Sequence, residues 1–132
     1  MTPDPVCCSQ SDSARKAAEL MRDQDIGPVP VIDPQSRLVG IVTDRDLVLN
    51  VLAKGLDADS TKVSDAMTRD PVSCKEDDAL EDALEKMSSY QIRRLPVVNA
   101  QDRIVGIIAQ ADIATRIEDP EVAGEVVQDV SK

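Results

Sequence analysis

The sequence predicts an α/β (α+β) fold in which one β-α-β-β-α unit is written twice, and three observations carry that prediction. Laying residues 26–47 over 92–113, an offset of 66, gives nine identities in 22 positions, among them Pro30/Pro96, Gly40/Gly106 and Asp46/Asp112. The same offset sets "MTPDPV" at Met1 over "MTRDPV" at Met67, with five of six residues identical. Each copy also shows an amphipathic helical stripe followed by two short aliphatic runs joined by a turn-rich connector. Such a repeat marks a duplicated structural unit. A unit of about 60 residues buries little surface alone. The two copies are therefore expected to pack sheet to sheet with pseudo-two-fold symmetry.

The elements follow in order. An extended stretch is expected after Pro5 and again after Pro71. A helix comes next, with Ala14, Ala17, Ala18 and Met21 at helical spacing in the first copy, and Leu80, Ala83, Leu84 and Met87 in the second. "SDSARKAAEL" and "KEDDALEDAL" place Ser and acidic residues near the helix starts, where free amides and the dipole favour them. The strand pairs "VPVID"/"RLVGIV" and "LPVVN"/"RIVGII" flank "DPQS" and "NAQD", which predict hairpins. The closing helices are "DRDLVLNVLAKG", stopped by Gly55, and "QADIATRIED" before Pro120. These readings divide the chain into a first repeat (1–55), a linker and lead-in to the second (56–66), a second repeat (67–119) and a tail (120–132). Val122, Val126, Val127 and Val130 lie on one helical face of that tail, which suits packing on its own domain or docking elsewhere.

Composition narrows the function. The 132 residues include 25 acids against 15 Lys/Arg, for a formal net charge of −10. Nucleic acid is a poor partner for such a chain, because phosphate backbones are met by basic clusters. The single aromatic, Tyr90, gives no stacking platform for single strands. No apolar run is long enough for a membrane span and no signal peptide is visible, so the expected location is the cytoplasm. With no histidine, Ser-His-Asp and Cys-His catalysis and His-ligated metals are excluded. Cys7, Cys8 and Cys74 make neither a CxxC pair nor an even disulfide framework, and read as buried thiols.

Thr43 and Asp46 in "GIVTDRDL" admit two readings. In one they form a capping box, the threonine accepting from the Asp46 amide and the acid reaching back to the Thr43 amide. In the other the same helix start receives a phosphate, and the acid accepts from a ribose diol. The second copy, "GIIAQADI", keeps Asp112 but has Ala109 where the first has Thr43. Ala109 cannot cap, so Asp112 has lost its reciprocal partner and the two copies are expected to differ chemically.

A tandem unit with "IGPVPVID…GIVTDRDL" and "IRRLPVVN…GIIAQADI" resembles the CBS-domain pair, the Bateman module, and is similar to short stand-alone bacterial CBS-pair proteins. One departure is that "KVSDA" precedes the second "MTRDP", whereas the first copy begins at Met1 without such a lead-in. The resemblance implies a regulatory sensor of an adenosyl ligand, AMP, ADP, ATP (with Mg) or S-adenosylmethionine, held in clefts between the repeats. It also implies a homodimer of pairs acting on a partner protein or a further domain. Thr43 and Asp46, and Asp112 in the second copy, map onto the ribose and phosphate contacts. Val6, Cys8, Gly27, Pro28 and Val29, with Val72, Cys74, Ile92 and Leu95, map onto the frame around the adenine. The default role of Pro28, Val29 and Leu95 is nevertheless core packing. Arg45, Arg93 and Arg94 are candidate phosphate grips, since a guanidinium can clasp a phosphate through two parallel N–H bonds. Each could instead be a surface charge among the many acids.

Two further classes compete with a sensor. An assembly module with vestigial clefts fits the loss of the threonine at Ala109. An enzyme is the weakest option, because no catalytic constellation is present.

Overall fold

A computed structural model of the chain describes residues 2–3 and 5–111. It contains two four-stranded sheets. The strands are β1 (Thr2–Pro3), β2 (Cys8–Ser9), β3 (Val29–Ile32), β4 (Leu38–Val42), β5 (Thr68–Arg69), β6 (Cys74–Lys75), β7 (Arg94–Val98) and β8 (Ile104–Ala109). The helices are α1 (Ala14–Gln24), α2 (Asp44–Leu47), α3 (Val63–Ala66) and α4 (Leu80–Tyr90), with a π-helical segment, Val48–Leu52, continuing α2. The expected helix after Ala109 starts at Gln110 and Ala111; the rest of it, Asp112 and the tail valines lie outside the described residues.

The first compact unit is Val6–Pro71 and the second is Met1–Pro5 with Val72–Lys132. In the first, the sheet runs β2-β3-β4-β5; β2 is parallel to β3, and the other pairings are antiparallel. The second repeats this plan as β6-β7-β8-β1. Each sheet thus takes its last strand from the segment that leads the other sequence repeat. "MTRDP" supplies β5 to the first unit, and "MTPDP" supplies β1 to the second. The lead-in "KVSDA" likewise forms α3, whose Val63 sits in the core of the first unit with Cys8, Ala17, Val29, Val31, Val42 and Met67.

Local chemistry explains the shared plan. Both hairpins turn on one side chain. Asp33 Oδ1 accepts from the Gln35 and Arg37 amides at 2.9 Å each. Asn99 Oδ1 accepts from the Gln101 and Arg103 amides at 2.9 and 3.0 Å. Such side-chain turns hold the loop without help from the core. α1 and α4 both end on a left-handed residue, Asp25 (φ 53°) and Gln91 (φ 55°). Gly55, at φ 70°, closes the π-helical segment: its amide reaches the Leu52 carbonyl, and the Leu56 amide reaches that of Val51, both at 3.0 Å. This Schellman arrangement favours glycine because a side chain would strain the positive φ.

The expected stripe of α1 is corrected at one position. Ala14 and Ala17 are buried with Leu20 and Met21 beside them, whereas Ala18 is exposed. At about 100° per residue the buried stripe runs from Leu20 to Ala14, and Ala18 lies about 40° past its edge. In α4 the corresponding Leu84 is still partly buried against Leu80, Ala83 and Met87. A leucine at that edge reaches back over the core where an alanine cannot.

Candidate functional site

In each unit the chain returns from the second hairpin strand beside the loop that enters the first. Val29 pairs with Val42 in the first unit, so Gly27 and Pro28 lie next to Thr43 and Asp44. A Cβ placed on Gly27 would meet Asp44 Oδ1 at 3.6 Å, so the Asp44 carboxylate leans over this loop.

Thr43 is the N-cap of α2, with extended backbone (φ −113°, ψ 166°). Its Oγ1 accepts from the Asp46 amide at 3.0 Å, and Asp46 Oδ2 accepts from the Thr43 amide at 3.0 Å. The capping box read from the sequence is therefore formed. Asp46 Oδ1 is not spare either, since the Thr68 hydroxyl on β5 donates to it at 3.5 Å. Thr68 was missed from the sequence; the signal available was the repeated "MT" pair at Met1 and Met67. Gly40 lets β5 come this close. A Cβ there would stand 2.5 Å from Met67 Sδ and 2.9 Å from the Thr68 carbonyl oxygen.

The second unit builds the same corner from different side chains. Arg94 pairs with Ala109 across β7 and β8, and the Gln110 amide donates to the Arg93 carbonyl at 2.7 Å. Arg93, Arg94, Ala109, Gln110 and Ala111 line an open concavity of about 520 Å³. With Ala109 in place of Thr43, no threonine cap can form here. Asp112, the counterpart of Asp46, lies outside the described residues.

The remaining candidates divide by burial. Cys8, Val29, Cys74 and Leu95 have side chains in the cores. Gly27, Pro28 and Ile92 are half-buried, while Arg45, Arg93 and Arg94 are exposed. Burial pushes the Cys8 and Cys74 thiols up to about 12 and the Cys7 thiol up to about 11. Such groups stay protonated and weakly nucleophilic at neutral pH. Among the described residues no cluster of acids and cysteines is arranged to hold a metal ion, and no helix is long and apolar enough to cross a membrane.

Two four-stranded sheets of the same plan, each with a hairpin-end corner, define a tandem-repeat α/β module as the class. The particular family follows from sequence: the CBS domain model matches residues 1–53 and again 63–119, and the chain belongs to that family. Protein YlbB of Bacillus subtilis is 40% identical over 133 residues, covering 100% of this chain and 88% of YlbB. The crystal structure of CBSX2, an Arabidopsis thaliana CBS-pair protein, in complex with AMP superposes with a TM-score of 0.77 at 30% identity, covering 90% of this chain and 95% of that one. The CBS domain pair of protein MJ0100 in complex with 5′-methylthioadenosine and S-adenosyl-L-methionine matches at TM-score 0.70 and 30% identity, covering 86% of this chain and 89% of that one.

Proposed function

We propose that this chain is a non-catalytic sensor of an adenosyl ligand: AMP, ADP, ATP accompanied by Mg, or S-adenosylmethionine. The observation that carries the reading is the Thr43–Asp46–Thr68 corner, where a carboxylate is held in place by the Thr43 amide and the Thr68 hydroxyl. A carboxylate fixed in this way can accept from the two hydroxyls of a ribose. Solved relatives bound to AMP and to S-adenosyl-L-methionine support the ligand class. Thr43, Asp46 and Arg45 serve the ribose and phosphate in the first unit; Arg93, Arg94 and Asp112 do so in the second. Gly27, Pro28 and Ile92 frame the base. Cys8, Val29, Cys74 and Leu95, whose side chains are buried, contribute through their backbone.

Binding then favours one arrangement of the protein over another and passes that bias to a partner. We also propose a homodimer, supported by Val48, Leu49, Leu52 and Leu56, four apolar residues exposed close together in the first unit. A cytoplasmic setting fits the three unbridged cysteines.

The test is thermal unfolding with each of the four ligands. A ligand that binds only the folded state raises the melting temperature by mass action. The expected result is a rise with at least one of the four that is reduced in Asp46→Ala. No rise with any of the four at millimolar concentration would refute the sensor and favour an assembly module.

A further inference from the structure

We infer that the two corners select ligands of opposite charge character, the Arg93–Arg94 concavity taking a polyphosphate and the Thr43–Asp46 corner a ligand of low negative charge. The inference rests on the adenosyl-sensor reading for the nucleoside part alone. Its own basis is charge. The chain has ten more acids than Lys/Arg, and the surface arginines of the first unit's α1 and hairpin are neutralised. Arg15 pairs with Asp59, Arg22 with Asp23 and Arg37 with Asp33. Arg93 and Arg94 are adjacent, exposed and line one concavity of about 520 Å³. Neither guanidinium has an ion pair or hydrogen bond among the described residues. No acid is among the described residues that line this concavity.

The first unit differs at every position that lines this concavity. Gly27 and Pro28 stand where the second unit has the two arginines, and Asp44 stands where it has Gln110. The Asp44 carboxylate lies over Gly27, where the second unit has the uncharged Gln110, and Asp46 two residues on has its counterpart in Asp112. Arg45 is the only cation of that short helix. A triphosphate entering there meets Asp44 as well as Asp46, with Arg45 as the one cation, while at the other corner two guanidiniums, each able to give a bidentate grip, accompany Asp112. An uncharged or cationic group, such as a sulfonium, has the opposite preference.

The experiment uses the full chain with ATP, S-adenosylmethionine and inorganic tripolyphosphate, followed by calorimetric titration at low and moderate salt. Arg93→Gln/Arg94→Gln should weaken ATP and tripolyphosphate on the order of tenfold and change S-adenosylmethionine less than about threefold. Raising the salt should weaken the two phosphates selectively. Gln110→Asp, which copies the acid of the first unit, should have the same sign as the double variant, and it serves if the double variant fails to fold. Asp44→Asn should strengthen ATP at the first corner. Unchanged ATP and tripolyphosphate affinity in both Gln110→Asp and the arginine variant would overturn the inference and leave the sensor reading intact. Arginine-dependent tripolyphosphate binding without any adenosyl binding would uphold the polyphosphate site and refute the sensor. Failure of the wild-type chain to bind either phosphate overturns the inference outright.

Discussion

Thr43→Ala gives the first unit the side chain that the second already has at Ala109. In the structure it removes one of the two 3.0 Å bonds of the capping box, the one from the Asp46 amide to Oγ1. The reciprocal bond, from the Thr43 amide to Asp46 Oδ2, does not need the hydroxyl and survives. The loss is therefore one N-cap bond at a part-buried site, which costs about 1 kcal/mol. For a chain of this size that lowers the melting temperature by about 4 °C. Asp46→Ala removes the bonds to both the Thr43 amide and the Thr68 hydroxyl, so it should cost more than Thr43→Ala. The assay is thermal and urea unfolding followed by far-ultraviolet circular dichroism, because the chain has no tryptophan. If Thr43→Ala costs less than about 0.3 kcal/mol, or as much as Asp46→Ala, the box is not the structural unit described and the reasoning fails.

Three further outcomes follow from the same structure. Gly40→Ala should destabilise by about 1–3 kcal/mol, since the new methyl group forces β5 outward; an unchanged urea midpoint would show that β5 pairing is dispensable. Burial opposes ionisation of Asp33, but the Arg37 and Gln35 amides and the Arg37 guanidinium outweigh it and hold the carboxyl below its usual range. The stability this confers is complete above the unfolded value near about 3.9 and is lost as pH falls through the lower folded one. Asp33→Asn, which keeps the acceptor that Asn99 already uses, should flatten the acid limb of urea midpoints measured stepwise in pH, and an identical limb would contradict it. Cys7, Cys8 and Cys74, with thiols pushed up to about 11, 12 and 12, should alkylate at pH 8 far more slowly in the native chain than in urea. Rapid native labelling of any one would contradict its placement.

What was legible in the sequence was whatever repeats or obeys a local rule. The hairpins announced themselves through Asp33 and Asn99, whose side chains make the turn within five residues. The capping box was legible for the same reason, since Thr43 and Asp46 stand three apart at a helix start. The corner at Arg93 and Arg94 emerged only by laying one copy on the other. Non-local choices stayed hidden. β1 and β5 are two residues long, too short to show any alternation, and their partners are fixed by register with β8 and β4. Thr68 reaches Asp46 only because that register holds. Nor could periodicity separate an adenine frame from a core: Val29 and Leu95 are apolar residues in strands, and the structure buries both.

The exchanged strands also impose an order on synthesis. Every strand of the first unit is available once β5 has left the ribosome, so its sheet can close early. Thr2, made before every other strand of its sheet, pairs with Ile107 and must wait unpaired while the residues between them are made. Folding from the N-terminus therefore completes the Thr43–Asp46 corner before the Arg93–Arg94 corner exists. The last sheet to close is the one that holds the earliest strand, β1.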